Sequence, residues 1–200
     1  MFEIRIHGRG GQGVVTAAEL LSVAAFAEER HSQAFPSFGS ERTGAPVVSF
    51  CRIDERPIRT REPIAAPDAL IVIDPTLLHQ VDVFGGLKAD GWVLINTSKS
   101  FRELRIEELF ERFDRRRFQT VPGTELAREQ LGKPLPNAAL LGGFAALTGA
   151  VALGSVASAI RERFAGLLGE QNVAAAEQAF AVVRAQTGAP VRQLGEPAHA

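Results

Sequence analysis

The chain has 200 residues, of which 46% are hydrophobic, with a mean hydropathy of +0.04 and a formal net charge of −1. This composition is typical of a globular domain with a substantial core, and it argues against a protein that binds nucleic acid mainly through charge. A single cysteine, Cys51, excludes an intrachain disulfide, fits a reducing cytoplasm and cannot supply the roughly four ligands of an iron–sulfur cluster.

The N-terminal segment predicts a strand, a glycine loop and a helix. FEIRIH alternates apolar and polar residues, as a strand does, and leads into HGRGGQG, where Gly8, Gly10 and Gly13 match the pattern G-x-G-x-x-G. Apolar residues at helical spacing follow from residue 14 to 29. In this context glycines permit a tight turn and a close backbone approach, and the helix N-terminus offers free N–H groups to a phosphate. A tight turn that binds nothing is the alternative.

A second loop of similar character follows the second predicted strand. HSQAF predicts that strand, PSFGSERTGAP predicts the loop, and VVSFCRID predicts the strand after it. Ser40 and Thr43 supply hydroxyl groups, and Arg42 supplies a guanidinium fork for phosphate or carboxylate. Because loops that leave the carboxyl ends of parallel strands gather at one edge of a sheet, we expect the two glycine loops to lie together.

The rest of the chain alternates strands with helices. The further predicted strands are ALIVID, WVLIN and FQTVP. The further predicted helices are TLLHQV, RELRIEELFERF, GTELAREQLG, NAALLGGFAALTG and two near 155–167 and 169–186. This order predicts an α/β fold, Rossmann-like, with a mainly parallel sheet flanked by helices and with C-terminal helices. We expect one domain over 1–187 and an extended tail over 188–200.

Several classes of function lack the residues they need. The N-terminus has no long apolar run of the signal-peptide kind, and the apolar stretch NAALLGGFAALTGAVALG reads as a buried helix and a turn. We therefore expect a cytoplasmic protein with neither a membrane nor a nucleic acid as its partner. The four histidines are scattered and show no metal-ligand spacing.

A stand-alone NAD-binding enzyme is disfavoured by the second predicted strand. An NAD site normally has an acidic residue at the end of that strand. The strand here offers Gln33, while Glu28 and Glu29 fall in the preceding helix.

Other conspicuous residues favour structural roles. Cys51 lies inside a strand pattern, which indicates a buried thiol and not a nucleophile. His79 is expected at the solvent or at an interface, and the basic cluster DRRRF at a helix end. Phe35 and Phe38 flank a proline, and they suit either a subunit interface or the chain's own core.

The two loops together carry a family resemblance. GRGGQGVVTAAELL followed by FPSFGSERTGAPVVSFCRID resembles the gamma subunit of 2-oxoacid:acceptor oxidoreductases, closest to the pyruvate:ferredoxin oxidoreductase type. LPNAALLGGFAALTG is similar to a later helix of the same family. The resemblance covers residues 1 to 185 or so, and it depends on the paired loops in this order and at this spacing.

This resemblance implies a non-catalytic subunit of an enzyme that turns a 2-oxoacid and coenzyme A into acyl-CoA and carbon dioxide. It implies thiamine diphosphate, Mg and iron–sulfur clusters on partner alpha, beta and ferredoxin-like delta subunits, with ferredoxin as acceptor, or NAD where a flavin subunit is added. The chain would be inactive alone, would bind no such cofactor wholly by itself, and would support assembly and the coenzyme A site. The 2-oxoacid stays open among pyruvate, branched-chain, 2-oxoglutarate and aryl glyoxylate types.

By the same resemblance, Arg42 and Thr43 are the first candidates for contact with coenzyme A. The full candidate set is Gly8, Arg9, Gly10, Gly11, Gln12, Gly13, Ser40, Arg42, Thr43 and Gly44. Two alternatives stay open: a surface ion pair of Arg42 with Glu41 or Asp54, and a purely structural assembly subunit whose glycine loops bind nothing.

Overall fold

The computed structural model describes residues 1–37 and 43–188, and within them six strands form one sheet. The strands are β1 (Phe2–Arg9), β2 (His31–Pro36), β3 (Pro46–Asp54), β4 (Ala69–Val72), β5 (Trp92–Asn96) and β6 (Phe118–Val121). The helices are α1 (Val14–Ala27), α2 (Gly123–Leu131), α3 (Asn137–Thr148), α4 (Leu153–Arg163) and α5 (Leu167–Thr187). Short 3₁₀ segments span Pro75–His79, Glu107–Glu111 and Arg115–Arg117.

The strand order is β2-β3-β1-β4-β5-β6, and β1, β4, β5 and β6 pair in parallel. The predicted α/β fold with a mainly parallel sheet and C-terminal helices is confirmed. One strand, β3, runs antiparallel to both of its neighbours, with Ile4 opposite Cys51 and Phe35 opposite Phe50. The reason is the short β2–β3 connection, because a short loop can join antiparallel strands whereas parallel strands need a crossover.

The sheet separates two apolar clusters. On one face, Ile6, Cys51 and Ile71 pack against α1 and α3–α5, and α3 is buried along almost its whole length. On the other face, Val72 and Ile95 are covered by the loops and 3₁₀ segments that follow β4 and β5. Both faces of the parallel strands are therefore covered, as their nearly continuous apolar sequences require.

The predicted helix RELRIEELFERF is wrong. This stretch forms turns and then the 3₁₀ segment Glu107–Glu111, and Arg105 between them has a positive φ of 55°. Leu104, Ile106 and Phe113 are buried against the sheet. A left-handed residue breaks the helical path and lets the chain bury side chains that a regular helix would not present together.

The basic cluster DRRRF was predicted at the end of a helix. It instead forms a separate 3₁₀ turn over Arg115–Arg117. Asp114 caps this turn and pairs with Arg116 at 2.7 Å. Arg117 lies over the Trp92 ring at 4.5 Å, and Arg115 lies over the Phe101 ring at 5.2 Å. These arginines are therefore engaged within the chain.

Cys51, His79 and Phe35 are buried, exposed and half-buried, respectively. Cys51 is fully buried, as predicted, and its burial raises the pKa of the thiol to about 12. His79 is exposed, with Nε2 2.9 Å from the Leu104 carbonyl oxygen. Phe35 packs on its own sheet, 5.1 Å from the Phe50 ring, whereas Phe38 lies outside the described residues. The expected tail lies outside them from residue 189 onward.

Candidate functional site

The two glycine loops meet beyond the carboxyl end of β1. Gly10 and Thr43 form a parallel β-bridge, with Gly10 N donating to Ala45 O at 3.0 Å and Gly44 N donating to Gly10 O at 3.2 Å. The expectation that both loops share one edge of the sheet is confirmed for their described residues. The bridge extends the sheet by one step, so that the backbones of the two loops form one surface.

Glycine is required in these loops for two different reasons. Gly11 and Gly44 have φ angles of +91° and +82°, and a side chain added to either would meet no heavy atom within 4 Å. Their backbones are therefore open to a ligand or a partner. Gly8 is enclosed by Val14 and neighbouring side chains, and Gly13 caps α1 in the left-handed conformation while lying against Asn137. These last two glycines serve packing.

The Arg9 side chain is held by groups of the chain itself. Its Nε lies 3.0 Å from Asp74 Oδ2, and its Nη2 donates to Thr76 Oγ1 at 2.8 Å and to Gln80 Oε1 at 2.7 Å. Its Nη1 donates to the Gly44 carbonyl at 3.1 Å. Arg9, predicted as a ligand contact, thus joins the first glycine loop to the second and to the segment after β4.

Gln12 completes the same network. Its Oε1 accepts a hydrogen bond from the Arg9 backbone N–H at 2.8 Å, and its Nε2 donates to Asp74 Oδ2 at 2.8 Å. The amide of Gln12 is therefore used to shape the loop, although the side chain also lines a cavity described below.

Asp74 organises this network, although the sequence analysis included it only as the last residue of the predicted strand ALIVID. Its Oδ1 accepts hydrogen bonds from both the backbone N–H and the hydroxyl of Thr76, at 2.9 and 2.6 Å. Burial alone would raise the pKa of the carboxyl, but the hydrogen bonds from Thr76 and Gln12 and the charge of Arg9 outweigh it and lower that pKa. The available signal was an aspartate directly after an almost wholly apolar strand.

A cavity of about 520 Å³ opens at the carboxyl ends of β4, β5 and β6. Its polar lining includes Asp74, Thr97, Ser98, Lys99 and Thr124. Carboxyl ends of parallel strands are the usual ligand edge of an open α/β sheet. The sequence analysis did not single out this cavity, because its residues come from five separate stretches of the chain.

Asn96 fixes the floor of that cavity. Its Nδ2 donates to the Ile73 carbonyl and to Thr124 Oγ1, both at 2.8 Å, and its Oδ1 accepts from the Thr124 N–H at 3.1 Å. This buried amide ties β4, β5 and the start of α2 together. Lys99 and the first turn of α2 give part of the cavity a positive potential, while Asp74 and Glu125 oppose it.

The remaining predicted residues fall into two groups. Thr43 and Gly44 are exposed on the surface that the loops share. Ser40 and Arg42 lie outside the described residues, as does Glu41. Asp54, the other suggested partner of Arg42, lies 3.1 Å from the N-terminal ammonium of Met1.

The described ranges hold neither a cluster of metal-ligating side chains nor a membrane-spanning helix. Within residues 1–37 and 43–188, no three His, Cys, Asp or Glu side chains gather as a metal site would require. No helix in those ranges is both long and apolar enough to cross a bilayer.

Comparison with known proteins gives consistent matches over nearly the whole chain. Residues 3–182 match the pyruvate ferredoxin/flavodoxin oxidoreductase family. The common gamma subunit of pyruvate/ketoisovalerate oxidoreductases from Pyrococcus abyssi is 52% identical over 182 residues, which are 90% of this chain and 96% of that protein. A pyruvate synthase subunit from Methanothermobacter marburgensis is 47% identical over 180 residues, with the same shares covered.

A crystal structure of a pyruvate oxidoreductase subunit from Thermotoga maritima is similar in fold and sequence. It superposes with a TM-score of 0.75 at 34% identity, over 90% of this chain and 95% of that one. The fold and the family matches therefore agree along the same length of chain.

Proposed function

The chain belongs to the pyruvate ferredoxin/flavodoxin oxidoreductase family as a gamma-type subunit, and we propose that it contributes part of the coenzyme A site of a multi-subunit enzyme. In that enzyme a 2-oxoacid and coenzyme A give acyl-CoA and carbon dioxide while ferredoxin, or NAD through a flavin subunit, is reduced. The observation that carries the proposal is the joined, open backbone of the two glycine loops.

Three features of that surface suit a phosphate-bearing ligand. Gly11 and Gly44 have open space where a side chain would stand, so a ligand can approach the backbone closely, although the N–H and carbonyl of Gly44 are already bonded to Gly10 and Arg9. The N-terminus of α1 has no side-chain cap, which leaves N–H groups and a partial positive charge beside the loops. Thr43 adds an exposed hydroxyl, directly next in sequence to Arg42.

We assign the redox chemistry to partner subunits. One buried cysteine cannot bind an iron–sulfur cluster, and the sequence offers no recognisable cage for thiamine diphosphate and Mg. The proposed partners are alpha, beta and ferredoxin-like delta subunits in the cytoplasm. The purified chain should therefore show no 2-oxoacid-dependent dye reduction until these subunits are added.

Arg42→Ala in the assembled enzyme tests the coenzyme A assignment. A charge-assisted hydrogen bond contributes on the order of 1.5–3 kcal/mol, so the KM for coenzyme A should rise about ten- to a hundredfold. The KM for the 2-oxoacid should stay unchanged. Arg42→Lys should recover part of the loss, because an ammonium keeps the charge without the bidentate fork. Arg102→Ala, at an exposed position on a different connection, is the matched control.

The second candidate is a purely structural assembly subunit, and the internal pairing of Arg9 and Gln12 favours it. Both side chains already form hydrogen bonds to Asp74, and Arg9 also bonds the Gly44 carbonyl of the second loop. If an intact Arg42→Ala complex shows normal coenzyme A kinetics, the structural role is the better account. If the variant complex dissociates, and coenzyme A affinity is unchanged in the part that stays assembled, the same conclusion follows.

An independent NAD site is not supported by the arrangement of strands. The strand beside β1 is the antiparallel β3, so the end of β2 lies one strand further away than in a dinucleotide-binding fold.

A further inference from the structure

A second, smaller cavity lies on the helical side of the glycine loop. It has a volume of about 220 Å³ and is enclosed by the start of α1, the α2–α3 connection and the α4–α5 connection. Its apolar lining residues are Leu131, Leu135, Phe164 and Leu168. Its other lining residues are Gly11 and Gly13 of the loop, Thr16, Lys133, Asn137 and Asn172. An amphipathic cavity of this kind suits a ligand with one polar and one apolar end.

Asn137 is the residue that points to a ligand. Its side chain is only 7% exposed, yet within the described ranges it makes no hydrogen bond. The carboxamide lies so close to the loop that a Cβ on Gly13 would be 2.8 Å from Nδ2. The carboxamide is not among the fully buried unpaired polar groups of the described residues, so it is reachable from the cavity and is placed to meet a group that enters it.

The charge among the polar lining residues favours an anion. α1 is 14 residues long, and its N-terminus, capped by Gly13 without a side-chain hydrogen bond, borders the cavity. Lys133 is the one charged side chain among the described residues that line it. A helix N-terminus and an ammonium together stabilise a negative group. Asn172, a buried lining residue, donates from Nδ2 to the Leu168 carbonyl at 2.8 Å.

We propose that this cavity binds a small aliphatic carboxylate. The carboxylate accepts hydrogen bonds from Asn137 Nδ2 and from the first turn of α1, and the alkyl chain packs on Leu135, Phe164 and Leu168. The cavity is smaller than the roughly 300 Å³ at which pockets for drug-sized ligands begin, so coenzyme A does not fit inside it. The cavity shares Gly11 and the N-terminus of α1 with the surface assigned above to coenzyme A, whereas its apolar residues, Lys133, Asn137 and Asn172 belong to the cavity alone.

Isobutyrate titrated into the full-length chain tests the proposal by amide NMR. We expect saturable shifts at Gly11, Gly13 and the Asn137 side-chain amide, and only small shifts elsewhere. Isobutyramide has the same shape without the charge, and should bind about tenfold or more weakly, since charge-assisted hydrogen bonds are roughly twice as strong as neutral ones. Equal or tighter binding of isobutyramide would show that the cavity recognises an amide, and would overturn the carboxylate assignment.

Two neighbouring leucines provide a matched pair of variants. Leu168 lines the cavity and is 45% exposed, whereas Leu167 is 75% exposed and does not line it. Leu168→Trp should abolish the isobutyrate shifts by filling the mouth, and Leu167→Trp should leave them intact. Lys133→Gln should weaken binding about threefold, as loss of one exposed charge does. No saturable shift in the unmodified chain, or equal binding in both tryptophan variants, would overturn the proposal.

Discussion

Arg9 Nε lies 3.0 Å from Asp74 Oδ2, and this ion pair joins the ends of the adjacent parallel strands β1 and β4. The same guanidinium bonds the Gly44 carbonyl at 3.1 Å. Asp74, on the far side of the first glycine loop, thus helps to position the second one. Loop position is set here by a side chain that need not touch any ligand.

Removing the Asp74 carboxylate should destabilise the chain. Asp74→Ala leaves Arg9 and Gln12 without their shared acceptor, and we expect a loss of about 1–3 kcal/mol in the free energy of unfolding. Urea denaturation measures it. Asp90→Ala removes an exposed carboxylate and should change stability by less than about 0.5 kcal/mol. Equal effects of the two substitutions would contradict the network role.

Acid should weaken the fold first through His7. Burial, and secondarily the charge of Arg5, lower the pKa of His7 to about 3, and its Nε2 accepts from Arg5 Nε at 2.9 Å. The unfolded chain binds this proton near pH 6.5, so it holds more protons than the folded chain between about pH 6.5 and 3. Stability should therefore fall as pH drops through this window, by at most about 1.4 kcal/mol per pH unit.

His7→Gln isolates that contribution, because a glutamine oxygen can accept from Arg5 without titrating. The variant should lose part of the slope of unfolding free energy against pH, while His31→Gln at an exposed position should keep it. An unchanged slope in His7→Gln would show that other groups dominate. Asp74, whose pKa is lowered, adds a further loss only below its unfolded pKa of about 3.9.

Cys51 should be unreactive in the folded chain. Its side chain is fully buried on β3, and its pKa of about 12 leaves almost no thiolate at neutral pH. We expect no reaction with an aromatic disulfide reagent under native conditions, and one thiol per chain in denaturant. Rapid native labelling at pH 8 would show that β3 opens far more readily than its packing indicates.

Two helical glycines should respond to alanine with opposite signs. Gly142 on α3 faces the backbone of Ala176 on α5, and a Cβ there would overlap its carbonyl group. Gly142→Ala should cost about 1–3 kcal/mol or more by forcing the helices apart. Gly154 near the start of α4 faces open space, so Gly154→Ala should stabilise by up to about 1 kcal/mol. Thermal unfolding of both variants checks the contrast.

The strands could be predicted from the sequence because their side chains carry a local pattern. FEIRIH alternates and ALIVID is almost wholly apolar, and both match the observed strands β1 and β4 to within two residues. The antiparallel direction of β3 could not be predicted in this way, because no local sequence pattern specifies which strands it pairs with or in which direction. The failed helix after β5 shows the same limit, because burial of Leu104 and Ile106 against the sheet outweighed local helical preference.

The glycine loop was visible in the sequence, but the partners that shape it were not. Gly13 contacts Asn137, and Arg9 contacts Asp74, across more than a hundred and more than sixty residues respectively. A motif shows that the backbone must be free to turn or to be approached closely. It does not show that the side chains of Arg9 and Gln12 would bond Asp74 of the same chain. Nor does it show that Gly11 and Gly44 would be the residues left facing open space.

The Gly10–Thr43 bridge also has a kinetic consequence. Its two amide protons, on Gly10 and Gly44, are held by carbonyls of the opposite loop, so either can exchange with deuterium only when the loops separate. Both amides should then exchange at one common rate, set by a single opening event. A ligand or partner that holds the two loops together should slow both exchange rates by the same factor. The exchange rates of these two amides therefore report directly on occupancy of this surface.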